Sequence, residues 1–312
     1  MRRIKHPVQT AAGIILLALC VLTALLAPQL SPPADPDAPE AYKVVGRRTD
    51  QTPRPPSETA PWGTLPGQLD VFHLVVWGMR SAFQFGLLVV LLSGSFGVLY
   101  GAVSAYLGGR VNQVMMRVTD AFLAFPIIGA VVFLAQLFTL PGQTPNPNLN
   151  LAPWLVESRI TPFQRFLAEQ DPLLIALILF SWMAYARLVQ VNMVRLKNQE
   201  YVVAARALGG SGVWILLRHL LPNAITPAIV LAARDIGGMV VLQATFTFIG
   251  LGASSPWGMS LNLGRNWVLG VAGNPFTYWW VFLPVTFALV LFGLSWTLVG
   301  DMLNDWADPR QA

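Results

Sequence analysis

Few residues in this chain combine the types and the spacing that chemistry requires. The histidines His6, His73 and His219 are far apart, and the single cysteine, Cys20, lies in an apolar stretch. Neither set has the spacing of a metal site, such as two histidines four residues apart on one helix face. The sequence also lacks the G-x-x-x-x-G-K-[ST] loop that cradles ATP phosphates, the H-E-x-x-H motif and a nucleophile elbow. It therefore predicts a protein that is not an enzyme on its own and binds no metal or cofactor.

Two adjacent charges, Arg234 and Asp235, stand inside an apolar stretch. A charge at membrane depth costs several kcal/mol and usually faces protein or water. Adjacent residues point about 100° apart on a helix, so the two need not pair with each other. Two interpretations remain open: a structural partnership with another span or subunit, which we favour, or one of the two facing a water-filled path.

Composition places the chain in a membrane. Hydrophobic residues make up 54% of it and charged residues 11%, whereas a soluble domain carries about 25% charged residues. The formal net charge of +5 does not argue for nucleic acid, because Lys and Arg mark the cytoplasmic loops of membrane proteins and no basic patch here is interleaved with aromatic residues.

The expected fold class is all-α, a polytopic membrane protein. A helix that crosses about 30 Å of hydrocarbon needs about 20 mostly apolar residues. Six stretches meet this requirement: Ala11–Leu30, Phe83–Leu107, Val114–Leu140, Leu173–Val194, Ile225–Ile249 and Trp279–Gly300. The first could instead be a cleaved signal peptide, although its apolar run is longer than such peptides have.

Basic residues orient the spans. Arg2, Arg3 and Lys5 place the N-terminus in the cytoplasm, and six crossings return the C-terminus to the same side. The chain then divides into residues 1–30 with the first span, an external loop at 31–80, and a five-helix transmembrane unit at 81–312.

Proline is dense in the external loop at 31–80 and in a second external segment at 141–171. Proline at this density prevents long helices, so both are predicted to be extended surface loops. Each could be a tether or a landing surface for an external protein.

The loop between the fourth and fifth predicted spans, residues 196–223, is predicted to be cytoplasmic. It contains residues that typically start and stop helices. Glu200 suits the positive end of a helix dipole, and the alanines after it favour a helix. Gly209 and Gly210 are expected to stop that helix, because glycine takes the left-handed conformation without strain.

A second short helix should follow the glycines. Ser211 can cap it, residues Val213–Leu220 would form it, and Pro222 would end it. This helix is too apolar to lie bare in water. It could rest on the lipid surface or bind a partner protein.

The loop resembles the EAA loop of binding-protein-dependent ABC importer permeases. Its amino-acid sequence is most similar to the dipeptide, oligopeptide and nickel branch of that family. The pattern reads E-A-A, three residues, Gly, and further along Leu-Pro. The residues that match it are Ala204, Ala205, Gly209, Leu221 and Pro222. Val203 replaces the glutamate of the pattern, which removes a charge from the docking loop.

The resemblance covers nearly the whole chain from Pro61 onward. The further stretches that carry it are Gly63–Arg80, Met116–Pro126, Thr245–Gly252 and Gly300–Arg310. In the second of these, Arg117 and Asp120 could pair at a helix end. Two other departures from the family pattern are the enlarged segment at 141–171 and Gln243, where many relatives have glutamate.

The resemblance implies a multi-pass permease subunit in the cell (inner) membrane of a bacterium or archaeon. Its implied partners are a second homologous permease subunit, two ABC ATPase subunits that use the ATP, an extracytoplasmic substrate-binding protein and the lipid bilayer, but no nucleic acid. The expected cargo is a small solute, with a di- or oligopeptide as the leading expectation.

The loop helix would sit in a groove of the ATPase and pass its motion to the spans. The residues expected to form this ATPase-coupling loop are Glu200, Ala204, Ala205, Arg206, Gly209, Val213, Trp214, Leu217, Leu221 and Pro222. The competing interpretation is a stand-alone secondary transporter or channel subunit, which should show inverted repeats and ionisable residues at the midplane.

Overall fold

A computed structural model describes residues 7–33, 41–138, 171–251, 255–271 and 273–307 of the chain. The helices and strands, in chain order, are α1 (Pro7–Leu25), α2 (Ala27–Leu30), β1 (Thr64–Leu65), β2 (Leu69–Asp70), α3 (Val71–Leu107), α4 (Gly109–Leu123), α5 (Ile127–Phe138), α6 (Pro172–Leu196), α7 (Glu200–Ala207), α8 (Gly212–Ile215), a π-helical turn (Leu216–Leu220), α9 (Leu221–Phe248), α10 (Pro256–Leu269) and α11 (Trp279–Ala307).

Within the described ranges, five helical segments are long and apolar enough to cross a membrane: α1, α3, α6, the run from Gly212 to Phe248, and α11. The polytopic helical fold is therefore confirmed. The third predicted span, Val114–Leu140, is not one straight helix, because α4 and α5 meet at an angle of 77°. Pro126 lies at this break, where it lacks the N–H that a continuous helix would need. The bent pair makes a sixth span if it crosses as one unit.

Helix α3 begins well before the span predicted from Phe83. It starts at Val71 and is 37 residues long, so the loop predicted to reach residue 80 ends about ten residues earlier. The reason is a cap: the Asp70 carboxylate accepts hydrogen bonds from the backbone N–H groups of Phe72 (2.9 Å) and His73 (3.4 Å). At about 1.5 Å per residue, α3 is longer than the hydrocarbon core requires.

The rest of the loop that the sequence predicts to be external, residues 41–70, folds back on the helices rather than extending as a tether. The strands β1 and β2 form a short hairpin, and the buried Gln68 side chain donates from Nε2 to the Thr52 carbonyl oxygen at 2.8 Å. The indole of Trp280, on α11, donates to the carbonyl oxygen of Thr64 at 3.3 Å. These contacts fix the hairpin over the start of α3 and α11.

Small residues bring α3 and α6 into close contact. A Cβ added at Gly97 would lie 2.3 Å from the carbonyl oxygen of Trp182, and one added at Gly101 would lie 2.3 Å from that of Ala186. These distances are too short for a carbon atom, so only glycine fits at the two positions. A Cβ added at Gly237 would lie 3.1 Å from the Cα of Gly293 of α11, whereas one added at Gly238 would meet nothing within 4 Å. Gly97, Gly101 and Gly237 therefore lie at close helix contacts, whereas Gly238 does not.

Asp120 forms its ion pair with Arg187 of α6, not with Arg117 one turn away on its own helix. The prediction of the local pair was wrong because spacing along one helix cannot show which neighbouring helix offers a guanidinium. The Asp120–Arg187 pair ties α4 to α6 on the near side of the 77° bend.

This ion pair can be tested by exchange of its charges. We expect Arg187→Asp to destabilise the protein by about 1 kcal/mol or more, since two carboxylates would then face each other between helices. The double variant Asp120→Arg with Arg187→Asp should recover most of the loss. Melting temperatures in detergent measure both effects, and a double variant no more stable than the single one would contradict the pairing.

Candidate functional site

Helix α7 ends at a glycine break, as the sequence predicted. The backbone of Gly209 is left-handed, with φ of +84°, and the N–H of Gly210 donates to the carbonyl oxygen of Ala205 at 3.0 Å. A residue with a Cβ would be strained at Gly209. The chain therefore turns sharply here and starts a new helix.

Ser211 caps this new helix, also as predicted: its hydroxyl accepts a hydrogen bond from the N–H of Trp214 at 3.3 Å. Pro222, however, does not end the helix. Helix α8 passes through the π-helical turn directly into α9, so that helical structure continues from Gly212 to Phe248.

The π-helical turn explains how a helix can contain Pro222. The N–H of Leu221 donates to the carbonyl oxygen of Leu216, five residues earlier. Widening the turn by one residue shifts the carbonyl groups away from the proline ring, which would otherwise clash four residues back, and Pro222 needs no hydrogen-bond acceptor of its own. This segment is thus the end of a long helix rather than a separate short helix.

One side of this segment is buried and the opposite side is bare. Ile215 and Leu220 are 3% and 2% exposed, whereas Val213, Trp214 and Leu217 are 57%, 50% and 59% exposed. We call these last three side chains the apolar loop face. An indole and two branched side chains left at the surface in one short segment are typical of a surface that another molecule covers.

The other predicted loop residues lie around this face. Glu200 is exposed in the first turn of α7, and Arg206 is exposed in its last turn. Ala204 is exposed and Ala205 half-buried, while Leu221 is half-buried and Pro222 exposed at the start of α9. The fold therefore brings the predicted residues into one region between α7 and α9.

Residues that the sequence did not single out hold this region against the spans. The ammonium group of Lys197 donates to the carbonyl oxygens of Ala105 and Tyr106 at the end of α3. A Cβ added at Gly212 would lie 2.7 Å from the hydroxyl oxygen of Tyr106. Burial of the ammonium group, and secondly the charge of Arg206, lower the pKa of Lys197. No local signal marks these contacts, because Tyr106 and Lys197 are far apart in the sequence.

The two charges within the span have different partners. Arg234 forms an ion pair with Asp301 of α11 at 2.5 Å, and Asp235 accepts a hydrogen bond from the Tyr185 hydroxyl of α6 at 2.7 Å. Arg234 thus has a partner on another helix, as the structural interpretation requires. For Asp235 the structure adds a neutral partner, Tyr185, that sequence reasoning missed.

The amino-acid sequence is similar to those of known transport proteins. Residues 97–312 match the family model described as "Binding-protein-dependent transport system inner membrane component". The dipeptide transport system permease protein DppC of Bacillus subtilis is 27% identical over 312 residues, which cover 99% of this chain and 84% of that protein.

Two other relatives span nearly the same length. The probable D,D-dipeptide transport system permease protein DdpC of Escherichia coli is 30% identical over 96% of this chain and 87% of its own length. The oligopeptide transport system permease protein OppC of Bacillus subtilis is 26% identical over 99% of this chain and 88% of its own length. The chain therefore belongs to the family of binding-protein-dependent transport system inner membrane components.

Proposed function

We propose that this protein is a permease subunit of an ATP-driven importer that carries di- or oligopeptides across the cell (inner) membrane. The observation that carries the proposal is the family match over residues 97–312. The relatives described above support the cargo, since their names refer to dipeptide, D,D-dipeptide and oligopeptide transport. The permease has no ATPase site of its own in this proposal and uses ATP through its partners.

The apolar loop face is the proposed contact with the ATPase subunits. Val213, Trp214 and Leu217 lie at the end of a helix that continues into α9 without a joint. A push on this face would therefore move the span itself. Such a rigid element linking two sites is what allosteric coupling requires.

Charge supports a cytoplasmic position for the loop. Arg195, Lys197, Arg206 and Arg218 cluster at the end of α6 and the start of the next span, and such clusters mark the cytoplasmic side. In the proposed orientation both termini are also cytoplasmic. The hairpin at residues 41–70 then faces outward, where it would offer a surface to the substrate-binding protein.

The proposed complex contains this chain, a second homologous permease subunit, two ATPase subunits and the external binding protein. The path would form between the two permease subunits. The carboxylate of Asp235 within α9 would suit a stand-alone transporter as well, so the family match is what favours this arrangement.

Uptake by the reconstituted complex tests the proposal. In proteoliposomes that hold the ATPase subunits and ATP on the inside, with the binding protein outside, a labelled dipeptide should accumulate inside. We expect accumulation to require ATP, the binding protein and this chain together. Accumulation driven by an ion gradient, without ATPase subunits, would contradict it and support a secondary transporter.

A further inference from the structure

The carboxylate of Asp235 lies near the middle of the bundle. It is about 20 Å from the start of α9 at Leu221, at about 1.5 Å per residue. Its hydrogen-bond partner Tyr185 lies about half-way along α6, which contains 25 residues. Both positions correspond to the central part of a hydrocarbon core about 30 Å thick.

Asp235 has no ion-pair partner among the residues that the structure describes. The guanidinium groups of the neighbouring spans are engaged elsewhere, that of Arg234 with Asp301 and that of Arg187 with Asp120. The Tyr185 hydroxyl provides a single hydrogen bond of 2.7 Å. A carboxylate at this depth calls for a cation, and within the described ranges this chain provides none.

The hydroxyl that holds Asp235 is itself fixed. Tyr185 is 1% exposed, and its ring lies against Gly94 of α3, where an added Cβ would be 3.6 Å away. A buried tyrosine packed between two helices has little rotational freedom, so its O–H orients the carboxylate. One oxygen accepts from Tyr185, and the remaining lone pairs of Asp235 stay available for another donor.

The surface next to Asp235 is open. Gly238, three residues further along α9, would have no atom within 4 Å of an added Cβ. Gly238, Val241 and Thr245 are all exposed and continue, at helical spacing, a stripe that begins at Arg234, whose guanidinium group is paired with Asp301. The half-buried Asp235 lies at the edge of this stripe. A stripe that joins a carboxylate and a glycine at membrane depth is expected to face protein or water rather than lipid.

We propose that Asp235, oriented by Tyr185, binds the free ammonium group of a peptide as it passes through the path. This rests on the proposed function and adds a substrate feature to it, a primary ammonium. A charge-assisted hydrogen bond between carboxylate and ammonium is among the stronger polar contacts. Passage also requires that the contact be weak enough to release the peptide. A single carboxylate that keeps one neutral partner meets both requirements.

The test compares Asp235→Asn with wild type in the complete reconstituted complex. The probes are a dipeptide with a free amino terminus and its N-acetylated form, each at a concentration that saturates the isolated binding protein. We expect Asp235→Asn to slow uptake of the free-amine dipeptide about tenfold and to remove most of its advantage over the acetylated form. Stimulation of ATP hydrolysis by the loaded binding protein should remain, because docking and coupling lie elsewhere.

Two further variants keep the test decisive. Thr245→Val, on the same stripe but uncharged, should leave the ratio of the two uptake rates unchanged. Asp235→Glu retains the charge and should preserve the preference for the free amine even if Asp235→Asn folds poorly.

Two outcomes would overturn the inference. Equal preference for the free amine in wild type and Asp235→Asn would show that the carboxylate does not contact the cargo. Loss of the second permease subunit from the Asp235→Asn complex would show that a base of that subunit neutralises Asp235. Absence of ATP-dependent uptake in wild type would instead contradict the proposed function.

Discussion

Replacement of Trp214 and Leu217 by aspartate is expected to release the ATPase subunits while the protein still inserts and folds. Both side chains are at least half exposed, so the permease fold does not depend on them. A side chain of this size buried in an interface contributes about 1.5–3 kcal/mol, and the aspartates would in addition lose hydration on docking. We therefore expect retention of the ATPases in detergent co-purification to fall by at least about tenfold.

A matched control comes from the opposite end of the bundle. Phe276 is 90% exposed in the segment between α10 and α11, and Phe276→Asp should leave ATPase retention at the wild-type level. If the Trp214→Asp, Leu217→Asp variant kept its ATPases, the apolar loop face would not be the docking surface. If the ATPases were retained and the tryptophan fluorescence of Trp214 in wild-type protein were quenched by lipid-borne quenchers, the loop would rest on lipid instead.

Gly101→Val is expected to have the largest effect on folding. The first added carbon would lie 2.3 Å from the carbonyl oxygen of Ala186 and 3.0 Å from its Cα. Backbone atoms of a packed helix cannot move aside as a flexible side chain can, so α3 and α6 would have to separate. We expect a loss of about 3 kcal/mol or more, seen as a lower melting temperature and a lower yield of monodisperse protein in detergent.

Gly238→Val provides the comparison at a glycine that also lies within a span. Its added side chain would meet no atom of the described chain within 4 Å, so its melting temperature should stay close to that of wild type. Equal melting temperatures for Gly101→Val and Gly238→Val would show that α3 and α6 are further apart at Gly101 than the structure places them.

Local signals in the sequence were reliable where the structure depends on neighbouring residues. The left-handed Gly209 and the cap at Ser211 follow from the preferences of those residues alone. Asp70 carries the same kind of signal for the start of α3, but a search for apolar stretches of span length passes over it. The prediction that Pro222 ends the helix was wrong because a π-helical turn accommodates the proline. No pattern in the sequence indicates such a turn.

Contacts between distant parts of the chain could not be read in this way. Asp235 meets Tyr185 across 50 positions, and Arg234 meets Asp301 across 67. Spacing along one helix gives the direction of each side chain but not which helix lies opposite. The membrane class and the loop were therefore predictable, whereas the partners of the charges in the span needed the structure.

The most direct measurement of the central claim is ATP hydrolysis by the reconstituted complex with and without peptide-loaded binding protein. A permease subunit that links an external binding protein to cytoplasmic ATPases should transmit the signal from one to the other. We predict that loaded binding protein stimulates hydrolysis in the wild-type complex and fails to do so when this chain is omitted. Hydrolysis that is indifferent to the binding protein in the intact complex would contradict the account.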